Sequence, residues 1–220
     1  MGEITRVGVD LAKNLIQVHA VDAAGKVVTN RQIKREKFIE WCMQLPAMCL
    51  LAMESCSGAH YWARKLLELG LDARIIAAHL VTAYRQQGKG GKNDANDAAA
   101  ICEAASRPSM RFVAVKTVDQ QSMLSVHRLR EGYKADRTAC INRIRGLLAE
   151  FGMVFPQSPK VLSDQLSATL EDATNDLSGL ARMAIDQAQK QWKELNEHID
   201  WCDQRIAAHH KQNEQVRQAT

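Results

Sequence analysis

Residues 47 to 55 read AMCLLAMES: seven consecutive apolar residues that end on Glu54. So continuous a run marks a strand buried on both faces rather than on one. Such a strand needs a layer above it and a layer below it. The chain must therefore build a sheet with helices on its faces.

The neighbouring patterns supply both kinds of element. TRVGVDLA reads as a strand, with Val7 and Val9 alternating before Asp10. LIQVHAVDAAGKVVTNRQI reads as a hairpin: strands Leu15–Val21 and Lys26–Ile33, with the turn at Asp22–Gly25. REKFIEWCMQL is a short amphipathic helix. GAHYWARKLLELG is a second helix, which Gly70 can end. LDARIIAAH is a further strand, and DANDAAAICEAA is a helix by propensity. Three leading strands on short turns, then helix–strand–helix–strand–helix, is the order of an α/β, RNase H-like mixed sheet flanked by helices.

From residue 118 the pattern becomes helical. One helix is expected over Val118–Phe151. FGMVFPQSPK holds two of the four prolines and is the expected linker. Residues 178–217 then read as one long helix. Ile185, Ala188, Trp192, Leu195, Ile199, Cys202 and Ile206 step alternately by three and four, a heptad seam. The seam suits a helical hairpin or an intermolecular coiled coil, and a homodimer or higher homo-oligomer is expected from the second. The expected domains are thus 1–157, the sheet domain with a basic helix, and 158–220, a helical coiled-coil region.

Composition limits the partners. The chain has 220 residues, 46% of them hydrophobic, enough for one good core and an appendage. No apolar run is long enough to span a membrane. MGEITRVGVD lacks the apolar stretch of a leader peptide. The six cysteines include no CxxC pair, so packed, reduced thiols in a cytoplasmic protein are expected. Nine basic residues face four acidic ones over 111–160, whereas 161–220 holds six against ten. The basic middle can face phosphates and the acidic end cannot.

Four carboxylates then draw together. Asp10 ends the first strand and Glu54 ends the buried one; if those strands are neighbours, both side chains emerge at one edge. Asp94 and Asp97, three apart at a helix start, share a helical face. Each has an ordinary reading alone: a turn residue, an exposed strand end, a helix cap. Together they form a tetrad whose mutual repulsion calls for cations. Hard oxygen ligands suit Mg²⁺ or Mn²⁺. Two such ions would serve phosphoryl transfer on a nucleic acid. A rival for VGVDLAK is the phosphate loop of sugar kinases, but Leu11, Ala12 and Lys13 stand where glycine and threonine are wanted.

GVDLAK, AMESCSGAHYW and GKGGKNDANDAAAI resemble the DEDD-type transposases of bacterial insertion sequences, which include DNA invertases and bridge-RNA-guided recombinases. The likeness covers roughly residues 5 to 157. It implies a RuvC-like N-terminal domain and makes Asp10, Glu54, Asp94 and Asp97 the metal-binding, catalytic acids. It also places Lys92 where the family has a basic residue ahead of DxxD. DNA is the implied partner, with a guide RNA in some members. The family's later domain, with a PGIG segment and a nucleophilic serine, has no match before VRQAT, so a shortened transposase is expected. The alternatives are a catalytically incomplete nucleic-acid-binding or dimerisation module, or a RuvC-like junction endonuclease.

Two basic groups could meet the phosphates. One is Arg85, Lys89 and Lys92 around the glycines. The other is Arg128, Arg130, Lys134 and Arg137 on the basic helix, where Arg130, Lys134 and Arg137 share a face. A solvated helix surface is the ordinary reading of the second group. No base-reading motif is evident.

Overall fold

The computed structural model describes residues 2–85 and 94–218, with side chains as far as residue 212. The chain divides into two compact units, Met1–Thr117 and Val118–Thr220.

The first unit is a six-stranded mixed sheet. Its strands are β1 (Arg6–Leu11), β2 (Leu15–Val21), β3 (Val27–Lys34), β4 (Leu50–Glu54), β5 (Asp72–Ile76) and β6 (Phe112–Val113), in the order β3-β2-β1-β4-β5-β6. β1, β2 and β3 are antiparallel neighbours; β1, β4 and β5 run parallel; β6 is antiparallel at the edge. The hairpin turn lies where the sequence puts it. Gly25 takes a left-handed φ of 78°. Asp22 Oδ1 accepts from the backbone N–H groups of Ala24 and Lys26, both at 3.0 Å, which fixes the turn.

Among the described residues this unit has four α-helices: α1 (Phe38–Cys42), α2 (Ala59–Glu68), α3 (Ala78–Val81) and α4 (Asp94–Ala105). Strand alternation deals side chains to two cores. Val7, Val9, Leu51 and Met53 join Phe38, Trp41, Trp62 and Leu66 from α1 and α2. Ala52 and Ile76 join Val81, Ala100, Ile101 and Ala104 from α3 and α4. β4 is thus buried on both faces, as AMCLLAMES implies. The run is not all strand, however. Cys49 N–H closes a turn on the Pro46 carbonyl, and Met48 is 72% exposed.

The second unit is helical: α5 (Val118–Ala149), α6 (Pro159–Glu171) and α7 (Gly179–Gln218). Ser158 caps α6 and Pro159 opens it. The heptad seam is consumed inside the chain. Ile185, Ala188, Trp192 and Leu195 pack on Cys140, Ile141, Ile144 and Leu148 of α5 and on Leu162 and Leu166 of α6. Ile199 and Cys202 are buried as well. This is the helical-hairpin option, with Ile206 at the far end of the seam only half-buried. FGMVFPQSPK joins α5 to α6 inside this unit, with Phe151, Met153 and Phe155 packed on its core. The compact units part instead at Thr117 and Val118, so the basic helix α5 packs with the C-terminal helices. All six cysteines are free thiols, and only Cys56 is exposed. Burial pushes Cys42 up to about 12 and Cys49 to about 11, as inert packed thiols require. Among the described residues no helix is long and apolar enough to cross a membrane.

Candidate carboxylate centre

The centre is built by one close approach. Val7 and Val9 point into the α1–α2 core, so Gly8 and Asp10 face the other way, toward α4. A Cβ on Gly8 would stand 2.0 Å from the Ala98 carbonyl oxygen and 2.5 Å from the Cys102 nitrogen. Only glycine lets the helix backbone lie this near the strand. The helix answers with small residues, burying Ala98, Cys102 and Ala105.

That contact sets the acids. β1 and β4 are in parallel register, with Val9 opposite Met53. Asp10 and Glu54 follow one step later on the two strands, and Glu54 shares the face of Ala52. Asp94 and Asp97 occupy the first turn of α4. Asp94 is exposed, whereas Asp97 is 9% exposed. The Asp10 carboxyl is held above its usual range. Burial is the first cause, then the charges of Asp97, Asp94 and Glu54; Arg85 opposes them. The four predicted carboxylates therefore share one electrostatic neighbourhood.

Arg85 is their counter-ion. Its Nη2 donates to Glu54 Oε2 at 2.8 Å, and its Nε lies 2.8 Å from Asp97 Oδ1. The Nε–H finds no aligned acceptor, so the Asp97 contact is ionic rather than a directed hydrogen bond. Sequence reasoning put Arg85 on a basic patch. It missed that a cation between strand ends and helix start meets the carboxylates first. Its spacing from Glu54 and Asp97 carries no signal of this. Among the described residues no three His, Cys, Asp or Glu side chains stand as a ready cage for a metal ion. One guanidinium contacts two of the four carboxylates but offsets only one charge, and hard oxygen donors are the right kind for Mg²⁺ or Mn²⁺.

The expected nucleic-acid contacts fare unevenly. Lys89 and Lys92 lie outside the described residues. Arg128 is exposed on α5. Arg130 pairs with Asp203 of α7 and with Glu131, and Lys134 pairs with Glu131 at 3.2 Å. Arg137 Nη1 donates to Asn196 Oδ1 of α7 at 3.3 Å. Basic α5 and acidic α7 thus partly answer one another, which the sequence alone left as two separate charge blocks.

A family model of IS110-type DEDD transposases, described as a transposase, matches residues 7–153. A probable family 20 transposase of Pseudomonas aeruginosa is 53% identical over 151 residues, covering 69% of this chain and 44% of that protein. The transposase for insertion sequence element IS1111A of Coxiella burnetii is 40% identical over 170 residues, covering 77% and 46%. A putative transposase of Sinorhizobium fredii is 35% identical over 216 residues, covering 93% and 55%. The chain spans about half the length of these curated relatives.

Proposed function

Because the chain belongs to the IS110-type DEDD transposase family, we propose that it carries the metal-binding acids of a DNA recombinase of a bacterial insertion sequence. The observation that carries this reading is that Glu54 and Asp97 share one guanidinium while the charges of Asp97, Asp94 and Glu54 all act on the Asp10 carboxyl. The strand order supports an RNase H-like, RuvC-like sheet: an antiparallel three-strand leader beside parallel β1, β4 and β5.

In this reading the four carboxylates hold Mg²⁺ or Mn²⁺. When bound, such an ion supplies Lewis acidity at a phosphodiester of DNA. The residues provide the rest. Asp10 and Glu54 are fixed by the parallel register of two buried strands. Asp97 is fixed by α4, seated on Gly8. Arg85 keeps Glu54 and Asp97 from repelling each other while no ion is present, and it must leave them for both to ligate. A guanidinium so released would be free to pair with a phosphate, which joins its role here to the phosphate contact expected from sequence.

The test is nicking of branched DNA by the full chain. The reading expects nicking in Mg²⁺, none in EDTA and none with Asp97→Asn. Absence of Mg²⁺-dependent nicking, or nicking that survives Asp97→Asn, would overturn it.

A further inference from the structure

Two grooves meet beside the carboxylate centre. The larger, about 940 Å³, is lined by Lys13, Asn14, Lys34, Arg35, Tyr61 and Trp62, among others. The smaller, about 510 Å³, is lined by Leu11, Ala12 and Cys56–Gly58. They share Lys13 and Arg35, so they form one path. That path starts at Leu11, directly after Asp10, and at Cys56, two residues after Glu54, and it ends on α2.

The chemistry of the walls is uneven. Lys13, Lys34 and Arg35 face one lining carboxylate, Glu36. No carboxylate among the described residues forms an ion pair with any of the three cations. Arg35 is nonetheless held in place. Its Nη1 donates to the Ala12 carbonyl at 3.2 Å, and its guanidinium lies 5.0 Å over the Trp62 ring. Tyr61 is 47% exposed, with its ring set edge-on to Trp62 at 5.2 Å. Trp62 is anchored in turn against Phe38 at 5.2 Å, and its buried indole N–H has no acceptor among the described residues. A fixed, exposed aromatic ring among unpaired cations is the combination that binds an unpaired nucleic-acid strand: bases stack on the ring and phosphates meet the cations. A membrane surface would want more apolar area, and an acidic peptide would have no use for the ring.

We propose that this path holds an unpaired segment of the DNA strand leaving the carboxylate centre, with a base stacked on Tyr61 and phosphates on Lys13 and Lys34. The choice of DNA rests on the recombinase reading above, since the strand in the path is continuous with the one at the acids. A duplex does not serve, because its bases are already stacked on each other.

The experiment is fluorescence anisotropy with the full chain and a labelled single-stranded DNA, about 20 nucleotides long to exceed one binding site. It is run in EDTA beside an RNA of the same sequence. Tyr61→Ala is expected to weaken DNA binding by about 5- to 150-fold, the range of one lost stack. Tyr61→Phe keeps the ring and restores affinity. Lys13→Ala combined with Lys34→Ala should flatten the log affinity against log salt slope by about 1.4, about 0.7 per lost phosphate on a single strand. The proposal falls if the wild type does not bind, if Tyr61→Ala binds as the wild type does, or if Tyr61→Ala weakens RNA alone. No divalent ion is present, so failure here leaves the metal reading standing, and failure of metal binding leaves this one standing.

Discussion

Replacing Gly8 by alanine should lift α4 from the sheet. The added Cβ would meet the Ala98 carbonyl oxygen at 2.0 Å, the Cys102 nitrogen at 2.5 Å and the Cys102 Cβ at 2.8 Å. Non-bonded carbon contacts settle near 3.5 Å, so the helix must retreat by roughly 1 Å or more. Two of the three obstacles are backbone atoms, which cannot swing aside as the end of a side chain can. The cost should therefore fall toward the top of the overpacking range, about 3 kcal/mol. For a unit of this size that lowers Tm by roughly 12–24 °C. The assay is thermal melting of the full chain, with amide hydrogen exchange of Ala98–Cys102 as the local readout. Asp94 and Asp97 ride on the same helix, so Mn²⁺ affinity should fall as well. Unchanged melting and unchanged exchange would refute the close-packing argument. Gly132→Ala is the contrast. Gly132 lies inside α5 with nothing within 4 Å of its would-be Cβ, so alanine there should stabilise by about 0.5–1 kcal/mol.

Arg85→Gln removes the counter-ion of Glu54 and Asp97. It should lower the metal-free Tm by an amount worth about 1–2 kcal/mol, and Mn²⁺ should restore more stability to the variant than to the wild type in paired melts. Asp10 is an acid whose folded pKa is raised from 3.8. Its charge therefore costs stability as pH rises through 3.8 and up to the folded value, and this cost is in full force above that value. Asp10→Asn should raise the metal-free Tm at pH 7, with the gain fading as pH falls through the folded value and gone below about 4; a pH-independent gain would contradict the repulsion. Leu195→Asp places a charge at a position 8% exposed between α5 and α7. It should cost about 3–5 kcal/mol and appear as loss of helical signal by circular dichroism, rather than as a clean change of oligomeric mass.

Much of this architecture is legible before any coordinates. Alternation in GVDLA, the hairpin with its Asp-x-x-Gly turn and the doubly buried run before Glu54 are local patterns, and each follows from short-range sterics and burial. The DxxD pair is local as well, because three residues make nearly one helical turn. What escapes is long-range. Gly8 reads as a weak point in a strand until α4 is laid across it. Arg85 reads as one more cation until Glu54 and Asp97 are found beside it. Arg130 looks like a phosphate ligand until Asp203, 73 residues later, meets it. β6 has only two residues, too few for a period. Ser158 caps the start of α6 and Pro159 opens it, yet both sit in a proline-rich stretch, and as a local pattern the prolines suit a linker equally well. The groove cations and Tyr61 are scattered over some fifty positions, and only the fold gathers them.

Calorimetric titration of the full chain with Mn²⁺, with and without DNA, decides whether the four carboxylates form one ion site. The wild type should bind saturably, and the binding should be lost when Asp10→Ala and Asp94→Ala are combined. Equal binding by both proteins, or none by either even with DNA present, would contradict a shared site.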